Sequence, residues 1–142
     1  MKDLSEILEF ACNKHGHQID KAGMPYIFHI VEVSLGVDDT REKAVAFLHD
    51  VLEDTDTTTD ELLEFGIEPE VVEAVEVLTR KKNEDYMEYI KKVATNPLSR
   101  SVKMSDLRHN MKIERIPNPT EKDYARLEKY KKAYEYLENS VE

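Results

Sequence analysis

The stretch AVAFLHDVLEDT sets His49 beside Asp50 and, one helical turn on, Glu53 beside Asp54. An imidazole nitrogen and a carboxylate oxygen are a natural pair of ligands for a divalent cation. The two later acids can handle a proton without holding the ion. His29 upstream, in YIFHIVEV, and Asp106 downstream, in VKMSDLRHN, complete a set of two imidazoles and two carboxylates. A mixed nitrogen and oxygen set of this kind suits Mn²⁺, Fe²⁺, Zn²⁺ or Mg²⁺ and leaves room for water. The spacing does not choose among these metals. Each ligand alone has a plainer reading, as a structural histidine or a solvated helical acid. Their joint arrangement changes that. His29 and His49 sit in otherwise apolar stretches, and an aspartate amid AFLHDVLE is costly to bury unless a charge pairs with it.

Helices must position these groups. Period-2 alternation is nearly absent, and there are only four glycines and five prolines. Leu4, Ile7, Leu8, Ala11 and Cys12 follow helical spacing, which predicts an amphipathic helix over roughly residues 3–15. Pro25 suits a first helical turn and opens a second helix, to about Gly36. Asp39 or Thr40 caps a third, which carries His49-Asp50 and buries Ala44, Val45, Leu48, Val51 and Leu52. Thr59 or Asp60 caps a short helix ending before Gly66, and Pro69 opens another. Met87, Ile90, Val93 and Ala94 mark the next. Pro97 opens a long helix to about Ile116, broken by Pro117-Asn118-Pro119. Thr120 begins the last. The expected fold is all-α, a compact bundle of about seven or eight helices forming a single domain over residues 1–142. On the long helix, Lys103, Asp106 and Asn110 fall at i−3, i and i+4, so a cation, a carboxylate and an amide share one face.

The bulk composition narrows the partners. The chain has 142 residues, with 30 acidic against 20 basic, for a formal net charge of −10. A uniformly acidic surface disfavours extended nucleic-acid binding. It still admits a small anionic substrate, because a bound cation and a few lysines reverse the local field. Cys12 is the only cysteine, so neither an intrachain disulfide nor a cysteine-based zinc site is expected. MKDLSEILEF lacks the basic start and apolar run of a signal peptide, and no segment approaches membrane-spanning length. A reducing cytoplasm is the expected location. His15, His17 and His109 read as loop or surface histidines. The tyrosines of the last helix read as core or a dimer face, so a homo-oligomer is compatible with the sequence. The run Arg80-Lys81-Lys82 follows an apolar helix and reads most simply as compensation of its dipole.

Taken together, HGHQIDKAGMPYIFHI, AFLHDVLEDT and VKMSDLRHN resemble the HD superfamily, and within it the hydrolase domain of the RelA/SpoT family. The likeness runs from about Glu9 to Asn110. It implies an HD-type fold and a hydrolase that removes pyrophosphate from the 3′ position of guanosine tetra- or pentaphosphate. It also implies a divalent metal, usually manganese, held by His29, His49, Asp50 and Asp106. Glu53 and Asp54 would be the catalytic acids. Lys21, Asn110 and Arg108 would hold the substrate. Independently of the resemblance, Lys103 is a cation placed to neutralise phosphate charge. The sequence departs from the family in two places. Asp20-Lys21 stands where Arg-Lys is common, and KMSDLRHN stands where KLADRLHN is common, so the basic residue is moved to Arg108. Two other readings stay open: an HD nucleotidase acting on another nucleotide, and a non-catalytic module that binds one.

Overall fold

The structure is a computed structural model that describes residues 2–140. Helix α1 runs Leu4–His15, α2 Tyr26–Leu35, α3 Thr40–Leu48 and α4 Val51–Asp54. Then come α5 Thr59–Phe65, α6 Pro69–Val77, α7 Tyr86–Ala94, α8 Pro97–Asn110 and α9 Glu121–Asn139. A 3₁₀ turn at Ile113–Arg115 lies between α8 and α9. Among the described residues there is no strand, only an isolated antiparallel bridge between Ile19 and Pro25. No helix among them is long and apolar enough to cross a membrane.

The helix starts follow local chemistry. Asp3 with Glu6, Asp39 with Glu42, and Thr120 with Asp123 each form a reciprocal capping box. Pro69 and Pro97 occupy first turns, where the missing N–H is no loss. Thr58, one residue before the expected cap, accepts the Glu61 amide at the start of α5.

Helix α3 is the centre of the molecule. Ala44 to Leu48 are all buried, and α3 packs against α1, α2, α6 and α8. The second half of α3 is enclosed and cannot show a polar face, which is why its apolar run from Ala44 to Leu48 is continuous. Helix α8 lies across α2 and α6. Ser105 Oγ donates to the Val33 carbonyl at 2.7 Å, and Ser99 Oγ donates to the Ala74 carbonyl at 2.9 Å.

Two helix ends differ from the sequence expectation. The third helix was expected to run through His49-Asp50 to Leu52. Instead it stops at Leu48, Asp50 turns to φ −111°, ψ 4°, and α4 begins at Val51. The break re-aims the His49 and Asp50 side chains, a local cost that only the site itself explains. The long helix ends at Asn110, not near Ile116, and the chain tightens into the 3₁₀ turn.

Gly36 closes α2 where α8 crosses it. A Cβ there would collide with Ser105 Oγ, the atom that ties α8 to Val33. Gly36→Ala is therefore expected to cost about 1–3 kcal/mol through overpacking. Urea denaturation of the variant reads this directly; a cost under a few tenths would mean that α2 and α8 are not tightly registered at this point.

Candidate active site

Helix α2, the α3–α4 break and α8 each deliver donors to one point. His29 comes from the middle of α2, His49 and Asp50 from the break, and Asp106 from the third turn of α8. The possible ligand atoms of His29, His49 and Asp50 all lie within 4.8 Å of one another. Asp106 reaches the same imidazoles: its Oδ1 is 2.8 Å from His29 Nε2 and 3.4 Å from His49 Nε2. Its other oxygen turns to Lys103 Nζ at 3.0 Å.

The imidazole of His49 is oriented from behind. Its Nδ1–H donates to the Ala46 carbonyl at 2.6 Å. Nε2 is then left with its lone pair. That atom is buried and has no hydrogen-bond partner. It faces two carboxylates, with Asp50 Oδ2 at 3.1 Å and Asp106 Oδ1 at 3.4 Å. Lone pair against carboxylate is repulsive unless something positive stands between them. Separations of about 3 Å are those of neighbouring ligands on one divalent cation. The donor set and the partnerless nitrogen fit such an ion.

His29 is held likewise. Its Nδ1 meets His109 Nδ1 at 2.7 Å, and the two rings stack with centroids 4.9 Å apart. Burial, then Arg115 and His29, lower the His109 pKa to about 4, so this ring is neutral near pH 7 and can accept from His29 Nδ1–H. The Nε2 lone pair of His29 is thereby directed at the site. His109 is buried, and so is His15, which bonds Gln18 at 3.0 Å and packs its ring at a tilt against Tyr26. Neither is the loop or surface histidine expected from sequence. His109 stands three residues after Asp106 on the same helix face, and that spacing is a signal the sequence did offer. Tyr26, three residues before His29, was also missed; its hydroxyl donates to Asp50 Oδ2.

The charges are unbalanced without an ion. Burial raises the Asp50 carboxyl well above the usual range; Asp106, Asp54 and Glu53 push the same way, with Lys103 opposing. Burial would raise Asp106 too, but Lys103 and the two imidazoles outweigh it and hold that group well below the ordinary range. Lys103 is itself held charged, because Asp106 and the Tyr89 and Tyr86 hydroxyls overcome its desolvation.

A cavity of about 680 Å³ opens over these groups. Asp20, Asp50, Glu53, Asp54, Asp106 and Asp123 line it, together with Lys21, Lys103, Arg115 and Arg126. Ile113, Ile116, Leu127 and Tyr130 add apolar surface. Glu53 Oε1 accepts the Arg80 amide at 3.0 Å, and Gln18 Nε2 donates to the Asp54 carbonyl at 3.1 Å. Asn110 Nδ2 donates to Asp106 Oδ1 at 3.1 Å. Arg108 does not line the cavity. Its guanidinium bonds the Gly36 carbonyl and the Tyr134 hydroxyl, each at 3.2 Å, on the side where α8 meets α2 and α9. Tyr130 of α9, expected in the core or a dimer face, reaches the cavity.

No protein-family model matches the chain. Curated relatives do. A guanosine-3′,5′-bis(diphosphate) 3′-pyrophosphohydrolase of Aquifex aeolicus is 36% identical over 124 residues, covering 78% of this chain and 18% of that protein. The chain thus spans under a fifth of that relative's length. The mouse guanosine-3′,5′-bis(diphosphate) 3′-pyrophosphohydrolase MESH1 is 32% identical over 139 residues, covering 89% of this chain and 78% of the mouse protein. The chain belongs to the RelA/SpoT-type HD hydrolase family. The fold of this HD hydrolase agrees. A solved structure described as a metazoan ortholog of SpoT that hydrolyzes ppGpp superposes with a TM-score of 0.78 at 24% identity, covering 94% of this chain and 84% of that one.

Removing Lys103 strands the buried Asp106 charge, so Lys103→Met should cost about 3–5 kcal/mol in cation-free protein. A loss below 1 kcal/mol on urea denaturation would show that Asp106 does not depend on it. Because the His109 ring binds its proton only near 4 when folded and near 6.5 when unfolded, the unfolded state takes up more protons between these values. Folded stability from this group is full above pH 6.5 and is lost as pH falls toward 4. The His109→Asn protein should show a flatter stability profile across that window than the wild type.

Proposed function

We propose that this HD hydrolase removes pyrophosphate from the 3′ position of guanosine tetra- and pentaphosphate, using Mn²⁺ held by His29, His49, Asp50 and Asp106. One observation carries the reading: a buried, partnerless imidazole nitrogen at His49 turned toward two carboxylates. Two relatives named for this reaction, at 36% and 32% identity, support the substrate. Residues 1–142 act here as one hydrolase domain. A lone, half-buried Cys12 is in keeping with a reducing cytoplasm.

When bound, the cation acidifies a water molecule and draws charge from a phosphoryl oxygen. The chain does the rest. Glu53 has one oxygen held by the Arg80 amide, which fixes its carboxylate at the cavity wall. Its other oxygen takes the proton of the attacking water. Water oxygen bonds to phosphorus, the bond from phosphorus to the 3′ oxygen breaks, and pyrophosphate leaves. The proton taken by Glu53 passes through solvent to the adjacent Asp54, which delivers it to the 3′ oxygen. Lys103 and Asn110 keep Asp106 ionised and aimed, and His109 does the same for the tautomer of His29. Lys21, which lines the same cavity, neutralises phosphate charge.

The test is a panel of ppGpp, dGTP and nucleoside monophosphates, assayed with Mn²⁺, Mg²⁺ and Zn²⁺. Pyrophosphate release from ppGpp is expected. Orthophosphate release from a monophosphate would transfer the reading to an HD nucleotidase, and no turnover at all to a nucleotide-binding module. Asp50→Ala should abolish both Mn²⁺ binding and turnover. Glu53→Gln should keep the ion and lose at least about a hundredfold in kcat; loss of the ion instead would make Glu53 a ligand.

A further inference from the structure

Helix α4 carries both Glu53 and Asp54 and is only four residues long. The Asp54 amide reaches back to the Asp50 carbonyl at 2.9 Å. So short a helix does not hold its own shape, because one turn returns less than its nucleation costs. Its geometry is imposed from outside. Val51 is buried in the core, and the Arg80 amide holds the Glu53 carboxylate at 3.0 Å. Neither contact grips the far end, where Asp54 stands.

That end is held from the segment between α1 and α2. The Asp54 carbonyl, the last of α4, accepts Gln18 Nε2 at 3.1 Å, from 36 positions away in the chain. A carbonyl only accepts, so the Gln18 amide must present its nitrogen there and its oxygen on the other side. That oxygen meets His15 Nδ1 at 3.0 Å. An amide oxygen also only accepts, so the His15 proton sits on Nδ1. His15 Nε2 then carries the lone pair, and it is buried without a hydrogen-bond partner. Burial lowers the His15 pKa, with Gln18 and Asp54 opposing, which keeps the ring neutral near pH 7.

The segment that bears Gln18 is itself fixed. Gln18 gives its amide N–H to the His15 carbonyl at 3.2 Å, and its carbonyl accepts the Tyr26 amide at 2.9 Å. Asp20 accepts the amides of Ala22 and Met24 and pairs with Arg115 at 3.2 Å. Tyr26 sets its ring against His15, with centroids 4.7 Å apart, and donates its hydroxyl to Asp50. One segment thus reaches both ends of α4, at Asp50 through Tyr26 and at Asp54 through Gln18.

We propose that His15 and Gln18 are positioning residues for Asp54: the His15 Nδ1–H fixes the Gln18 amide, and the amide fixes the end of α4 that bears the acid. Gln18 lines the cavity, but its oxygen is taken by His15 and its nitrogen by Asp54, so it acts through Asp54 and not on the substrate. The role rests on the hydrolase reading, in which Asp54 serves the 3′ oxygen. A proton is delivered only within hydrogen-bond reach, so a displaced acid slows the chemical step and leaves binding alone.

Gln18→Met removes the amide at nearly constant length. His15→Phe removes the Nδ1–H and keeps a ring against Tyr26. Each should lower kcat for guanosine 3′,5′-bis(diphosphate) about tenfold, with KM within about twofold and Mn²⁺ affinity unchanged by calorimetry. The two residues act in series, so the double variant should be no slower than the slower single one. His15→Asn returns an N–H to the same place and should recover most of kcat. Nitrogen NMR of the imidazoles gives a readout apart from turnover. His15 should be the Nδ1–H tautomer in the wild type and lose that preference in Gln18→Met. Wild-type kcat in both single variants, a rise in KM or a loss of Mn²⁺ affinity in place of the kcat loss, multiplying losses in the double variant, or an Nε2–H ring in the wild type would each overturn the relay. A wild type that turns over no nucleotide, yet shows the tautomer and its loss as stated, would sink the hydrolase reading and leave the relay standing.

Discussion

A buried nitrogen lone pair turned toward two carboxylates is a conflict that only a proton or a cation between them resolves. His49 Nε2 is in that position, and three separate segments of backbone are arranged to keep it there. Helix α3 is enclosed by its neighbours, so its last residues cannot drift. The turn at Asp50 forgoes a continuous helix. Ser105 and Gly36 fix how α8 crosses α2, which sets Asp106 against His29. A folded state that carries this conflict must be stable for other reasons, and the apolar core supplies them. The site then gains stability from whatever cation occupies it, by mass action.

Around that point both signs of charge share one cavity. The sequence as a whole is acidic, and Asp50, Glu53, Asp54 and Asp106 line the cavity together with Lys21, Lys103, Arg115 and Arg126. Lys103 stands against Asp106 itself, at 3.0 Å. In a chain of net charge −10, cations gathered in the cavity give an approaching anion a local field opposite to that of the whole.

Much of this was legible in the sequence. The all-α fold followed from helical spacing, and proline and capping residues marked most helix starts, because those signals are local. That His29, His49, Asp50 and Asp106 would gather was legible because acids and histidines in apolar runs are anomalies. What escaped was tertiary. The break at His49-Asp50 overrides a run of good helical spacing, and nothing local announces it. Arg108 looked like a substrate ligand because it lies in the motif, yet it points to Gly36 and Tyr134. Arg115 and Arg126 come from the segment after the motifs, where the 3₁₀ turn and α9 fold back over the cavity, and no periodicity relates them to the metal ligands. His109 was hidden for another reason. Its neighbours in sequence are polar, so it looked exposed, although its spacing from Asp106 put it on the buried face.

The ion pair of Asp20 with Arg115 joins positions that are 95 residues apart in the chain. Neither can be judged alone. An arginine at position 20 would confront Arg115 with like charge, and a neutral residue at 115 would leave the Asp20 carboxylate without its ion-pair partner. Tolerance at one position is conditional on the other, so the two should drift through related sequences as a coupled pair, and transplanting either one singly between relatives should do more harm than transplanting both.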